Sequence, residues 1–244
     1  MSVTPARRFV ASRLPKDTGV SAWTAMLPPR AVRPKLEDVT TADIVVIGAG
    51  FAGLAAAWKI ARLDPSVRVA VLEAGAVGEG AAGRNSGFII DLPHEVSADD
   101  YGGDSLAKSR QAITISRSAI ALASTIAAEH GWSRDMFDPC GRYSVAMGEE
   151  GDHLLVAYAG QLAKLGEDHR LLGAGEIAGV TGSPAYTSAL FTPGTVMVQP
   201  AAYIRGVADA LPVSVTLFEN TPVLSFESEG AGWLVKTPQG SVRT

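Results

Sequence analysis

The sequence has little of what several protein classes require. It contains one cysteine in 244 residues, Cys140. A single thiol has no internal partner, so a disulfide framework is excluded, and the composition fits a reducing compartment, with the cytoplasm as the expected location. Cys140 sits between Pro139 and Gly141 just ahead of an expected strand, where packing is the favoured role. Aromatic residues make up 7% of the chain, too few for a platform on which single-stranded bases stack. The net charge is −4, without long runs of one sign, which excludes the clustered basic stripe of a nucleic-acid surface. Long hydrophobic runs are also missing. The uncharged stretch from Ile44 to Trp58 falls short of the roughly 20 apolar residues of a membrane span, and glycines interrupt it. Arg7, Arg8 and Arg13 are followed by no continuous apolar segment, so a secretory leader is not expected. The histidines, His94, His130, His153 and His169, do not stand at ligand spacing on a helix and no cysteine pair accompanies them, so no metal site is expected.

What is present points to a globular protein with a sizeable core: 47% hydrophobic and 19% charged residues, in the range of ordinary soluble domains. Residues 1 to 40 carry Pro5, Pro15, Pro28, Pro29 and Pro34. Proline removes donors and fixes φ, so this segment reads as an irregular arm, with Trp23, Met26 and Leu27 as candidate anchors. The β-branched run Ile44-Val45-Val46-Ile47 has no polar alternation, the pattern of a strand buried on both faces in a parallel sheet. Helices are expected over Ala52–Leu63, about Ser105–His130 (closed by Gly131), Gly151–Leu165 (ended by Gly166) and Pro200–Leu211. Strands are expected over Val67–Glu73, Gly141–Met147, Val213–Phe218, Val223–Ser228 and Trp233–Thr237, with Pro238-Gln239-Gly240 turning the chain into a last strand from Ser241.

The chemistry is concentrated at the first strand–helix junction. Gly48-Ala49-Gly50-Phe51-Ala52-Gly53 follows the expected strand and opens the expected helix. Gly48 permits a tight turn. Gly50 lets backbone approach a pyrophosphate, and Gly53 allows the helix to pack closely on the sheet. The helix N-terminus then offers unpaired amides to phosphates. Glu73 lies 20 residues beyond Gly53 at the end of the next strand, where its carboxylate accepts from a ribose hydroxyl pair and repels a 2′-phosphate. A glycine-rich turn of purely structural purpose would leave Glu73 and the glycines that follow it unexplained. Those glycines, Gly75, Gly78, Gly80, Gly83 and Gly87, mark a loop where backbone approaches something closely.

The segment Glu73-Ala74-Gly75 through Gly83-Arg84-Asn85-Ser86-Gly87-Phe88 resembles the D-amino-acid-oxidase-like family of FAD-dependent oxidoreductases, which includes glycine, sarcosine and gamma-glutamylputrescine oxidases. The resemblance implies an α/β fold, a FAD-binding Rossmann-like parallel sheet of the glutathione-reductase type, plus part of an α+β substrate domain. It implies that Gly48, Ala49, Gly50, Phe51, Ala52, Gly53, Glu73 and Ala74 hold the AMP half of FAD. Gly83, Arg84, Asn85, Ser86 and Gly87 would lie along the pyrophosphate and ribityl chain, and backbone at Val223, in Thr221-Pro222-Val223, would meet the adenine. The chain then divides into an arm (1–40), a FAD-binding βαβ unit and loop (41–100), a partial substrate region (101–195) and a return to the FAD-binding domain (196–244). In the family, the substrate, an amine or amino acid, delivers hydride to the flavin. No catalytic base is assigned here. His94, just after the glycine loop, is a candidate for the flavin side of the site, against a solvated loop histidine.

Family members are longer, so the resemblance implies a C-terminally truncated product, a fragment, or one half of an enzyme whose other half is a second chain. A sheet that stops early leaves an apolar edge, and the chain alone is expected to hold FAD weakly and to recruit a partner. Two other functional readings stay open on sequence alone: a non-catalytic dinucleotide-binding module, and a simple NAD-dependent dehydrogenase.

Overall fold

The structure, a computed structural model, describes residues 7–16, 19–93 and 103–244. In chain order its elements are β1 (Arg8–Val10), α1 (Ala22–Ala25), β2 (Val39–Thr41), β3 (Ile44–Ile47), α2 (Phe51–Leu63), β4 (Val69–Leu72), β5 (Phe88–Ile89), α3 (Gly103–Glu129), β6 (Phe137–Asp138) and β7 (Arg142–Ala146). There follow α4 (Glu149–Leu165), β8 (Arg170–Gly173), α5 (Ala174–Thr181), β9 (Ser188–Thr192), β10 (Val196–Val198), α6 (Pro200–Asp209), β11 (Val215–Phe218), β12 (Ser225–Glu229), β13 (Gly232–Lys236) and β14 (Ser241–Arg243). They fall into two compact units, Met1–Ser86 with Gln199–Thr244, and Gly87–Val198. The middle unit begins well before residue 101 because β5 pairs with β10, Val196 opposite Ile89.

The first unit is built on a parallel sheet in the order β11-β4-β3. β4 lies in the middle, with all four of its residues buried. β3 is the edge, and Ile47 is 54% exposed. The expectation that Ile44–Ile47 is buried on both faces is therefore corrected: an apolar strand is wholly covered only when it has neighbours on both sides, and that position belongs to β4. Helix α2 buries Leu54, Ala57, Trp58 and Ala61, the spacing of one helical face. A second sheet has the order β1-β12-β13-β14-β2. Leu36, Ala42, Ala70, Leu72, Val235 and Val242 form the core between the two sheets, with Val45, Phe218, Val223 and Phe226 packed against it. The arm is thus not wholly irregular. β1 pairs antiparallel with β12 and β2 pairs parallel with β14.

In the second unit, β7-β9-β8 form an antiparallel sheet. Neighbouring residues of β9 point to opposite faces. Leu190 packs with Leu155, Ala159 and Leu162 of α4, and Ala189 packs with Leu172 and with Ile177 of α5. Both long helices end as their glycines demand. At Gly131 (φ +61) and Gly166 (φ +78) the backbone turns left-handed, and the next amides reach back, Trp132 N to Ala127 O at 3.0 Å and Glu167 N to Leu162 O at 2.9 Å. These are Schellman closures, which need a residue without Cβ strain. Among the described residues no helix is long and apolar enough to cross a membrane.

Leu190 is fully buried at the centre of its cluster. Leu190→Ala should therefore cost about 2–5 kcal/mol, read as a lower urea midpoint at unchanged slope in equilibrium unfolding.

Candidate functional site

The site begins where β3 ends. Gly48 takes φ +94, a left-handed conformation that L side chains rarely adopt, and its amide donates to Leu72 O at 2.8 Å. Gly50 is the N-cap of α2 and supplies no side-chain cap, so the first-turn amides are left for another acceptor. A Cβ built on Gly53 would lie 2.0 Å from Gly48 O, whereas one built on Gly50 would meet nothing within 4 Å. The two glycines therefore do different work. Gly53 lets the helix lie on the turn, and Gly50 keeps an open face.

That open face borders a cavity of about 470 Å³, lined by residues 47–53 and Glu73 on one side and by Ala76, Gly78, Gly80, Ala81 and Ala82 on the other. In the sequence Gly78 and Gly80 mark a close-approach loop but Ala76, Ala81 and Ala82 go unnoticed and none of the five is assigned to the site, although the signal is there. Gly78-Glu79-Gly80-Ala81-Ala82-Gly83 repeats the spacing of the first turn. The geometry repeats as well. Gly78 has φ +91, and a Cβ on Gly83 would lie 1.9 Å from Gly78 O. Gly80 caps a single 3-10 turn, Ala81–Gly83, with φ −80 and ψ −168, close to the −83 and −174 of Gly50. Two copies of one glycine turn thus border the same cavity.

Glu73 joins them. Its Oε2 accepts from Ala49 N at 2.6 Å and its Oε1 from Gly75 N at 3.0 Å, leaving further lone pairs on both oxygens. It also lines a second cavity of about 400 Å³ with Ala74, Gly75, Glu79, Gly80, Asn220, Pro15 and Lys16. Asn220 has φ +49 and its amide donates to Gly75 O at 2.9 Å.

The structure thus gathers Gly48, Ala49, Gly50, Phe51, Ala52, Gly53, Glu73 and Ala74 around these cavities. The remaining expected residues lie elsewhere. Arg84 donates from Nε to Glu79 O at 2.6 Å and from Nη2 to Gly19 O. Asn85 donates to Ala82 O at 2.8 Å. Neither they nor Gly83, Ser86 and Gly87 line the two cavities. Arg84 and Asn85 make bonds within and around the second turn. The Val223 side chain packs in the core between the sheets. His94 lies outside the described residues.

Below the second turn sits Glu219, its side chain fully buried. Burial pushes its carboxyl up, but the Arg30 guanidinium and the amides of Val77 and Arg33 outweigh this and hold it below the usual carboxylate range. Nearby, burial first and then Arg30 lower the Arg205 guanidinium. Among the described residues no group of three or more His, Cys, Asp or Glu side chains is placed to hold a metal ion.

Comparison with known proteins agrees with this geometry. Residues 43–244 match the DAO family model, described as FAD dependent oxidoreductase. A probable oxidoreductase, OrdL, of Haemophilus influenzae is 30% identical over 220 residues, covering 86% of this chain and 48% of that protein. Glycine oxidase from Geobacillus kaustophilus superposes with a TM-score of 0.67 at 22% identity, over 84% of this chain and 54% of that one. L-Amino acid deaminase from Proteus myxofaciens does so with a TM-score of 0.66 at 18% identity, over 100% of this chain and 50% of that one. The chain spans about half the length of the curated relatives it matches. The match selects the flavin family over the simple NAD-dependent alternative. With residues 43–244, more than four-fifths of the chain, matched by the family's model, the chain belongs to the DAO family of FAD-dependent oxidoreductases.

Proposed function

We propose that this chain supplies the FAD-binding part of an oxidoreductase that oxidises a C–N bond of an amine or amino acid by hydride transfer to flavin. The observation that carries the reading is the cavity bordered by two matched glycine turns with Glu73 between them. The cavity fits the cofactor in three respects. Gly50 leaves open space where a side chain would stand, the first turn of α2 is uncapped, and Glu73 retains acceptor capacity. In this reading the first-turn amides of α2 bind the pyrophosphate, and Glu73 accepts from the ribose hydroxyls. Ala49, Phe51, Ala52 and Ala74 line the path, backbone at Val223 meets the adenine, and Gly83 to Gly87 shape the turn over the remaining chain of the cofactor. Bound flavin supplies two-electron acceptance, while the protein orients and excludes. The substrate class is drawn from relatives named as glycine oxidase and L-amino acid deaminase. The groups that grip the substrate would come from a further polypeptide portion, carried by a second chain in the split form. The single cysteine is in keeping with a cytoplasmic setting.

Two glycine substitutions separate binding from folding. Gly50→Ala should leave the unfolding midpoint unchanged and weaken FAD binding by about tenfold or more, measured by quenching of FAD fluorescence. Gly53→Ala should cost about 1–3 kcal/mol of stability, because its Cβ meets backbone that has little room to move. Equal loss of stability in the two variants would remove the distinction.

Protein saturated with FAD should show flavin absorbance in the visible, and anaerobic addition of an oxidisable amino acid to the complete enzyme should bleach it. A colourless protein stabilised by NAD and indifferent to FAD would overturn the reading.

A further inference from the structure

We propose that the described N-terminal arm, residues 15–16 and 19–33, is a working part of the cofactor site: a clasp that fastens the second glycine turn at both ends and sets Lys16 against the cavity beside Glu73. This rests on the FAD reading above and assigns the arm a part in it.

The fastening is specific. At the exit of the turn, Ser21 Oγ donates to Gly83 O at 3.1 Å, Trp23 Nε1 donates to Asn85 O at 2.9 Å, and the Arg84 guanidinium reaches back to Gly19 O. At its entrance, Glu219 Oε1 accepts from Val77 N at 2.5 Å, and Arg30 Nη2 donates to Val77 O at 3.4 Å while Arg30 clamps the same carboxylate through both terminal nitrogens. Arg33 N also donates to Glu219, at 2.5 Å. The arm is itself held by Gln199, whose Nε2 donates to Trp23 O at 2.7 Å while its Oε1 caps α6 at Ala202 N.

These bonds add to the loop's own, among them Ala76 N to Glu79 Oε2 and Arg84 Nε to Glu79 O, and tie it to the rest of the unit. Gly78 and Gly80 give the turn its shape and also its freedom. Arm side chains occupy carbonyls at its exit, and Arg30 with Glu219 holds both polar groups of Val77 at its entrance, so the turn is set before the ligand arrives. Preorganisation of this kind raises affinity by reducing the ordering that binding must impose. Charge gives the arm a second part. Glu73 and Glu79 line the second cavity, an unfavourable setting for a diphosphate, and among the described residues that line the two cavities Lys16 is the one cation.

The test uses the full chain, with hydrogen–deuterium exchange of the 77–86 peptides without FAD and FAD affinity by fluorescence quenching. Trp23→Phe keeps a ring and removes the donor. It should speed exchange at the exit of the turn about tenfold and weaken FAD severalfold, with the unfolding midpoint unchanged. Arg30→Ala should do the same at the entrance, with Arg30→Lys restoring part of both. Lys16→Ala should weaken FAD severalfold and flatten its salt dependence while leaving exchange as it was. If Arg30→Ala does not fold, the Trp23 and Lys16 variants decide. Arm variants that bind FAD as the wild type does overturn the clasp alone. A wild-type chain that binds no FAD overturns the cofactor reading itself, which the exchange data on the apo chain distinguish.

Discussion

The arrangement depends on the closeness of a hydrogen-only α-carbon to a carbonyl oxygen. At Gly53 over Gly48 O, and again at Gly83 over Gly78 O, the space is under the distance any real Cβ keeps. This approach lets a helical turn begin directly on a tight loop, so that the loop's open face and the turn's free amides border one cavity. With any larger residue the turn must lift away, and amides that converge on a ligand diverge instead. The left-handed φ of Gly48 and Gly78 serves the same end, because it reverses the chain within one residue.

Much of this was legible because its signals are local. The β-branched run of β3, the glycine spacing, the expected helix that follows it and Glu73 at the end of β4 lie within thirty residues and specify one βαβ unit. The helix closures at Gly131 and Gly166 were equally plain. The second glycine turn carried the same spacing, but no long helix follows it, and its meaning emerges only where Gly78 and Gly80 are seen across the cavity from Gly50.

Other features were hidden because they depend on distant partners. Nothing in Ile44–Ile47 distinguishes an edge strand from a central one; that follows from β11 pairing with the far side of β4. Nothing in Arg8-Phe9-Val10 announces a strand, since its partner is β12, near the other end of the chain. Glu219 reads as a polar residue closing a strand. It is fully buried only because Arg30, brought in by a proline-rich arm, supplies the charge that a buried carboxylate requires. Likewise the sequence does not reveal that Arg84 donates to the carbonyls of Glu79 and Gly19.

Glu73 shows how these two kinds of information meet in one side chain. As a ribose acceptor it needs only a carboxylate at the end of a strand, and the sequence says as much. In the fold, one of its oxygens is already held by Ala49 N, inside the first glycine turn, and the other by Gly75 N, at the start of the loop leading to the second. The carboxylate is therefore a brace between the two turns before it is a ligand. In the proposed reading, anything that draws it toward a sugar hydroxyl acts on the first turn and on the approach to the second at once, which would couple recognition of the ribose to that of the phosphates. A shorter acid would keep the charge and lose the span, which makes length, as much as charge, the property this position requires.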